Sequence, residues 1–231
     1  MYYLYLLLNL GSLSIPFLFS FHPKLKFYKL WKSLFISILI SMLLFIPWDV
    51  FFTIEGIWGF NSNYYLGYKL LSLPIEEWLF FICIPYACVF THFALLHYFS
   101  KLKLSSGVTK LISYLLILIF ITIIIYNYDK WYTFVNFSLA SILTLIVINK
   151  KPEILQSFLL TFLVMLVPFF IVNGILTGSF IENEVVWYTN SENLNIRLFT
   201  IPVEDSVYAF TLILLNLFII TSLKTKKKAT I

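Results

Sequence analysis

Charged side chains are scarce in this sequence of 231 residues: they make up 12% of it, whereas hydrophobic residues make up 61%. A soluble domain typically has about 25% charged and about 45–50% apolar residues. We therefore expect lipid, and not water, to surround most of the chain. The net charge of +5 is spread over short connecting segments. It forms no single basic face, so no nucleic-acid partner is expected.

Cysteine and histidine are also rare. Cys83 and Cys88 are the only cysteines, and their spacing places them on different sides of a helix. They form no metal-ligand spacing with His22, His92 or His97. We therefore expect neither a disulfide bond between the cysteines nor a metal site. No Gly-x-Gly-x-x-Gly segment follows a strand, so no dinucleotide cofactor is expected either.

Long hydrophobic runs, in contrast, fill the chain. A transmembrane helix needs about 20 mostly apolar residues. Seven runs of about this length occur, at 2–21, 33–54, 74–99, 111–127, 131–149, 154–176 and 202–223. The sequence therefore predicts an all-α transmembrane protein of seven helices that forms a single membrane domain, 1–231.

The charges between the runs alternate along the chain. The segments that follow the seven runs have net charges of +4, 0, +3, 0, +1, −2 and +4 in chain order. Lysine and arginine collect in cytoplasmic loops. The alternation therefore supports the count of seven and predicts that the N-terminus lies outside and the C-terminus in the cytoplasm.

An acidic helix start occurs twice, as Pro74-Ile75-Glu76-Glu77 and as Pro202-Val203-Glu204-Asp205. A Trp-x-x-Asn segment precedes each copy, at 58–61 and at 187–190. These matches predict two parallel repeats of three helices, 1–100 and 131–223, with 111–127 as a connector helix. Repeats of this kind tend to place a site at their mutual interface.

The candidate catalytic residues are five acids at predicted helix ends: Glu76, Glu77, Glu204, Asp205 and Asp49. An acid in the first helical turn is an ordinary helix start, but ionisable groups at the edge of the hydrocarbon usually face a bundle interior. Neighbouring residues project about 100° apart on a helix, so we expect one acid of each pair to face inward. Glu76 and Glu204 would approach each other if both repeats pack around one axis. Burial and a second carboxylate favour a retained proton, whereas the helix start favours the anion, and the sequence leaves this balance open.

Aromatic residues and amides near these acids are the candidates for substrate binding, although packing or an interfacial belt also explains single aromatics. Aromatic faces stabilise a cation in a dry pocket. The candidates are Trp48, Trp58, Asn61, Trp78, Phe80, Phe81, Asn173, Trp187, Asn190 and Tyr208. Asn61 and Asn190 are expected to orient carboxylates, and Asn173 in the sixth helix is expected to take the place of Asp49 in the second.

At these residues the sequence resembles the lycopene cyclases of the small integral-membrane type. The similar segments are Trp48-Asp49, Trp58-Gly59-Phe60-Asn61 and 73–81 in the first half, and 173–178 and 202–205 in the second. The family includes two-subunit and fused bacterial enzymes, archaeal enzymes and a domain of a fungal bifunctional protein. The resemblance covers essentially the whole chain and implies the fused form with both repeats, in a bacterial cytoplasmic (inner) membrane.

The resemblance implies a reaction without redox chemistry and without a cofactor. The linear ends of lycopene would close to β-ionone rings, giving γ-carotene and then β-carotene. A proton adds to the terminal double bond, the next double bond attacks the cation, and a base removes a ring proton. The partners would be lycopene or a related carotenoid and membrane lipid. The acid would be Glu76 or Glu204, with Glu77, Asp205 and Asp49 as supporting acids or as the final base.

Other functions would use similar residues in other ways. A carotenoid hydratase or a cyclase that makes ε- or γ-rings would use the same cation, and a proton-coupled membrane transporter would use intramembrane acids in another way. A retinal protein needs a lysine in the last helix, and residues 202–223 contain none. A prenyltransferase needs aspartate-rich motifs, and Asp49 has no second aspartate in its helix. The sequence leaves open whether the protein forms a homo-oligomer.

Overall fold

The structure, a computed structural model, describes the backbone of residues 2–229 and the side chains of residues 2–224. The side chains of the tail lysines Lys226, Lys227 and Lys228 therefore lie outside the described residues. Within the described part the chain forms seven α-helices, which confirms the predicted all-α fold. They are α1 (Leu4–Phe19), α2 (Trp31–Ile54), α3 (Ile75–Tyr98), α4 (Ser106–Tyr126), α5 (Trp131–Lys150), α6 (Pro152–Leu176) and α7 (Val203–Ala229).

Six of the helices between residues 2 and 229, α2 to α7, are long and apolar enough to cross a membrane. The helix α1 is shorter than the predicted run 2–21, because it has only 16 residues. At about 1.5 Å per residue it is about 24 Å long. Two short 3₁₀ segments, Phe27–Leu30 and Asn190–Glu192, complete the helical structure that the described chain shows.

Short strands connect the helices at the end of the bundle where α3 and α7 begin. They are β1 (Trp58–Phe60), β2 (Lys69–Leu70), β3 (Leu73–Pro74), β4 (Val186–Tyr188), β5 (Arg197–Leu198) and β6 (Ile201–Pro202). The strands β2 and β3 form a hairpin directly before α3, and β5 and β6 form a hairpin directly before α7. Strand β1 pairs with β4 in antiparallel fashion and so joins the two halves of the chain.

Hydrogen bonds at the hairpins and at the β1–β4 pair repeat at positions 128 residues apart. Ile75 N–H donates to the Tyr68 carbonyl, and Val203 N–H donates to the Ile196 carbonyl, both at 3.0 Å. Likewise Asn61 N–H donates to Val185 and Thr189 N–H donates to Ile57, both at 2.9 Å. These pairs make the two halves structural equivalents.

This register corrects the sequence alignment of the Trp-x-x-Asn segments by one residue. The alignment matched Trp58 with Trp187, but in the β1–β4 pair the residue opposite Trp187 is Gly59. The equivalent of Asn61 is Thr189, because both donate their backbone N–H across the pair. The alignment was wrong because it matched identical Trp and Asn residues, whereas the equivalence is fixed by strand pairing, about which a sequence comparison has no information.

The equivalence of Asp49 and Asn173 agrees with the hydrogen bonds. The Thr53 hydroxyl donates to the Asp49 carbonyl at 2.8 Å, and the Thr177 hydroxyl donates to the Asn173 carbonyl at 2.9 Å. Both threonines lie four residues after the residue that they contact, near the end of α2 or α6. Residues of α2 therefore correspond to residues 124 positions later in α6.

A pseudo-twofold axis relates the two halves, and the helices pack in pairs that are equivalent about this axis. The helix α1 packs on α3 as α5 packs on α7, and α2 packs on α7 as α3 packs on α6. The connector α4 packs mainly on α5. A core of fully buried side chains, which includes Leu34, Val89, Leu155 and Leu214, lies between the helices.

Candidate active site

A cavity of about 470 Å³ lies between the two halves of the chain. Helices α1, α3, α6 and α7 form its long walls, and strands β1 and β4 contribute to the end where α3 and α7 begin. The lining is mostly apolar, and among the described residues no lysine or arginine contributes to it. An apolar pocket with a few converging polar groups is the usual form of a small-molecule site.

The cavity is long and has its polar groups at one end. It follows α3 from Glu77 to Thr91 and α6 from Phe162 to Leu176. At about 1.5 Å per residue, each stretch extends for about 21 Å. The acids lie at one end, and Thr91 and Phe162 lie at the other. This shape suits an elongated apolar molecule whose tip reaches the acids.

Three carboxyl groups line the cavity: those of Asp49, Glu77 and Asp205. Asp49 lies near the end of α2, and the other two lie in the first turns of α3 and α7. All three are buried, with Glu77 the most exposed at 8%. The second acid of each Pro-x-acid-acid start is therefore the one that faces the cavity.

Glu77 is held by α1 and lines the same cavity as Asp49. The fully buried Tyr5 hydroxyl of α1 donates a hydrogen bond to Glu77 Oε2. Both carboxyls line this one cavity, where two like charges would repel each other. The Oδ2 atom of Asp49 is buried and has no hydrogen-bond partner among the described residues.

Asp205 accepts three hydrogen bonds. Its Oδ1 accepts from the Tyr132 hydroxyl at 2.6 Å, and its Oδ2 accepts from Asn173 Nδ2 at 2.7 Å and from the Tyr188 hydroxyl at 3.0 Å. Hydrogen bonds to a carboxylate favour its ionised form. Burial raises the pKa of the Tyr188 phenol in β4 well above its usual range, and the Asp205 carboxyl raises it further. Tyr188 therefore keeps its proton and remains a donor to Asp205.

Glu76 and Glu204 lie elsewhere. Both are fully buried, and neither belongs to the cavity lining that the described side chains form. Glu76 Oε1 accepts from the Leu66 backbone N–H at 2.8 Å, and Glu204 Oε1 accepts from the Leu194 backbone N–H at 2.7 Å. Each acid fastens the loop before its helix to the first helical turn. The two acids do not meet between the repeats as expected, because each is held within its own half.

Neighbouring helices complete these two attachments. Asn9 Nδ2 of α1 donates to the Glu76 carbonyl at 2.8 Å, and Asn136 Nδ2 of α5 donates to the Glu204 carbonyl at 2.6 Å. The Thr133 hydroxyl also donates to Glu204 Oε1 at 2.7 Å. The first acid of each pair is thus part of the contact between α1 and α3 or between α5 and α7.

Four of the ten predicted substrate-binding residues line the cavity: Trp58, Phe80, Asn173 and Tyr208. Trp48 lies behind the wall, where its ring stacks on that of Tyr208 at a centroid distance of 5.6 Å. Phe81 is buried next to Phe45 with the ring centroids 6.3 Å apart.

The other predicted residues serve the loops. Trp78 Nε1 donates to the Leu70 carbonyl at 3.2 Å. Trp187 covers Gly59 so closely that a Cβ atom on Gly59 would lie 2.2 Å from its ring. Asn61 Oδ1 accepts from the Asn63 backbone N–H at 3.1 Å.

Asn190, like Asn61, does not orient a carboxylate. Its Oδ1 accepts from Arg197 Nη2 at 3.0 Å on the exposed surface. The expected role failed because both asparagines fall in tight loop turns, where the backbone or a nearby side chain satisfies the amide. Asn173 is the amide that contacts a cavity carboxylate.

Sequence reasoning missed the tyrosines that hold the acids. Tyr5 and Asn9 on α1 have the same spacing as Tyr132 and Asn136 on α5, and they contact equivalent acids. A search for Tyr-x-x-x-Asn at the start of the first helix of each repeat would have found both pairs. Tyr188 carries no comparable sequence signal, because its equivalent in the first half is Phe60.

Comparison with known families gives one clear match. The family model for lycopene cyclase matches residues 2–95 and 129–223. The helix α4 falls between the two matched segments, and the three cavity carboxyls fall inside them. No curated protein and no solved structure matches the chain. Since the matched segments cover most of the sequence, the chain belongs to the lycopene cyclase family, whose members are enzymes that cyclise carotenoids.

Proposed function

We propose that the protein is a lycopene β-cyclase in which Asp49 donates the proton, Glu77 shares that proton, and Asp205 acts as the base. The family match supports a carotenoid cyclase, and the cavity supplies three buried carboxyls at the end of a long apolar channel. The alternating loop charges support a proposed orientation in which this end faces the outer side of the membrane.

The pseudo-symmetry of the site is the observation that carries the assignment of Asp49. Asn173, its equivalent, uses a neutral amide to donate a hydrogen bond to Asp205. A protonated aspartic acid has nearly the shape of asparagine and can donate in the same way to Glu77. The buried Asp49 Oδ2 has no hydrogen-bond partner among the described residues. Two buried carboxyls that line one cavity do not both ionise readily, and we propose that the Asp49–Glu77 pair retains one proton.

The proposed reaction begins when this pair gives its proton to the terminal double bond of lycopene. The tertiary cation is then attacked by the next double bond, which closes the ring and moves the positive charge onto it. Asp205, ionised by its three donors, stabilises this charge and removes a ring proton. The proton returns to the Asp49–Glu77 pair across the shared cavity, so the net change is an isomerisation. Trp58 and Tyr208 present aromatic faces to the cation.

The test is expression of the variants Asp49→Asn, Glu77→Gln and Asp205→Asn in a host that accumulates lycopene. A general acid or base contributes about 10²- to 10⁴-fold to a rate, so each variant should lower β-carotene formation by about 100-fold or more. The amount of membrane-inserted protein is measured in the same cells. Asp49→Asn is the sharpest of the three, because asparagine reproduces the shape of the protonated acid without its transferable proton.

Two results would count against the proposal. Unchanged lycopene with well-inserted wild-type protein would exclude cyclisation, and near wild-type activity of Asp49→Asn would exclude Asp49 as the acid. Product analysis also separates the related reactions, because a hydroxylated product would indicate a hydratase and an ε- or γ-ring would indicate loss of a different proton.

A further inference from the structure

Four residues belong both to the cavity lining and to the exposed surface that the described side chains form. They are Leu7, Gly11 and Ile15 on α1 and Pro168 on α6. Leu7 is 61% exposed and Ile15 is 65% exposed. Residues four apart lie on one face of a helix, and at about 1.5 Å per residue these three extend for about 12 Å. The cavity is therefore open to the side along a slot between α1 and α6.

The lining of this slot is apolar, and its surroundings are apolar too. Val164, Val167 and Ile171 on α6 are exposed next to it. The slot thus faces the hydrocarbon of the bilayer and not water. The carboxyls lie deeper and toward the starts of α3 and α7, so a chain that enters through the slot must point its tip toward them.

The equivalent groove on the other side of the pseudo-twofold axis is filled. Residues of α6 correspond to residues of α2 that lie 124 positions earlier. Val172 therefore corresponds to Trp48, and Leu176 corresponds to Phe52. The Trp48 ring stacks on Phe52 at 5.4 Å and on Tyr208 at 5.6 Å. These larger rings occupy the volume that the smaller side chains of α6 leave free in the first groove.

We propose that the slot between α1 and α6 is the entrance by which one end of an acyclic polyene passes from the lipid into the cavity. The filled second groove means that one end is admitted at a time. This inference rests on the proposed cyclisation for the identity of the polyene, but entry and chemistry are separate events and can be measured separately.

The test uses Gly11→Trp, with Gly107→Trp as the matched control. A Cβ atom added at either glycine meets no heavy atom within 4 Å of those described, so neither substitution forces the backbone. Gly11 lines the slot, whereas Gly107 lies in the first turn of α4, away from the cavity. Each protein is reconstituted in vesicles that contain lycopene and then re-isolated in detergent. Polyene retained per protein is read from its visible absorption, and cyclised product is measured in parallel.

We expect Gly11→Trp to lose both retained lycopene and product, and Gly107→Trp to match the wild type in both. If Gly11→Trp retains as much lycopene as the wild type, whether or not it forms product, the slot is not the entrance. If the wild-type protein retains lycopene but forms no ring, the proposed cyclisation is wrong. The comparison of retained lycopene between Gly11→Trp and the wild type then still decides whether the slot is the entrance. If Gly11→Trp does not insert, Leu7→Trp takes its place, since that exposed side chain lines the same slot.

Discussion

Two adjacent carboxyls at each helix start have different tasks because they project to different sides. Glu77 and Asp205 face the cavity, whereas Glu76 and Glu204 accept backbone N–H groups from the preceding loops. The position of an acid in the first helical turn therefore decides whether its carboxyl lines the cavity or binds the preceding loop.

Glu76 provides a test of this division. Glu76→Gln keeps an oxygen that can accept from the Leu66 N–H, so we expect it to retain most cyclase activity. Glu76→Leu leaves that partly buried N–H without an acceptor, which costs about 1–3 kcal/mol, and should lower both thermal stability and the amount of inserted protein. Both properties are measured in detergent-solubilised protein alongside product formation.

The same comparison at Glu204 is expected to show the larger stability loss for leucine, because Glu204 Oε1 accepts from Thr133 as well as from Leu194. If Glu76→Gln is inactive although its stability is unchanged, Glu76 would instead be the proton donor, as the sequence analysis expected.

The sequence predicted five candidate acids, but its preference for Glu76 and Glu204 does not agree with the cavity lining. Pattern and spacing predict that one acid of each pair faces inward, and Glu77 and Asp205 do so. Which acid faces inward depends on the rotation of the helix about its axis, and that rotation is set by contacts with α1 and α5. The residues that make those contacts, Tyr5 and Tyr132, lie about 72 residues away in the chain.

At the scale of elements, short strands hold the two halves in register. The β1–β4 pair has Gly59 opposite Trp187, and the indole ring lies over the glycine. Trp58 and Tyr188, which are also paired in this register, both line the cavity. The strand pair therefore positions one wall of the site by joining the halves at their pseudo-twofold axis.

We expect Gly59→Ala to destabilise the protein. The added methyl group would lie 2.2 Å from the Trp187 ring, and overpacking of this kind typically costs about 1–3 kcal/mol. Thermal unfolding followed by circular dichroism in detergent measures the loss. Gly107→Ala is the control, because its Cβ atom meets no heavy atom within 4 Å among the described residues.

A second substitution separates this clash from a loss of strand pairing. Combining Gly59→Ala with Trp187→Leu removes the ring that the methyl group would meet, so the double variant should regain part of the lost stability relative to Trp187→Leu alone. Equal losses from Gly59→Ala in both backgrounds would show that the ring is not the cause.

At the scale of the whole molecule, hydropathy and loop charge predicted the seven helices, and the repeated motif indicated that the chain has two related halves. Both signals work because lipid imposes length and composition on every spanning helix. The cavity could not be predicted, since it depends on the size of the side chains at equivalent positions, such as Val172 in α6 where α2 has Trp48. The alignment was also off by one residue at Trp187, because only the paired strands fix that register.

The single slot has a consequence for the order in which products appear. Lycopene has two identical ends, and an enzyme with one entrance processes them in separate visits. In the proposed reaction, the molecule with one closed ring would return to the bilayer and would compete there with unreacted lycopene for the same entrance. We therefore expect γ-carotene to be almost the only product while most of the lycopene is still unreacted, and β-carotene to appear after a lag.

Time courses that begin at low conversion of lycopene, with the two carotenes separated by chromatography, test this order. β-Carotene that forms without a lag, while most of the lycopene is still unreacted, would mean that both ends react during one visit. In that case the polyene would have to turn round inside the protein, which the filled second groove opposes.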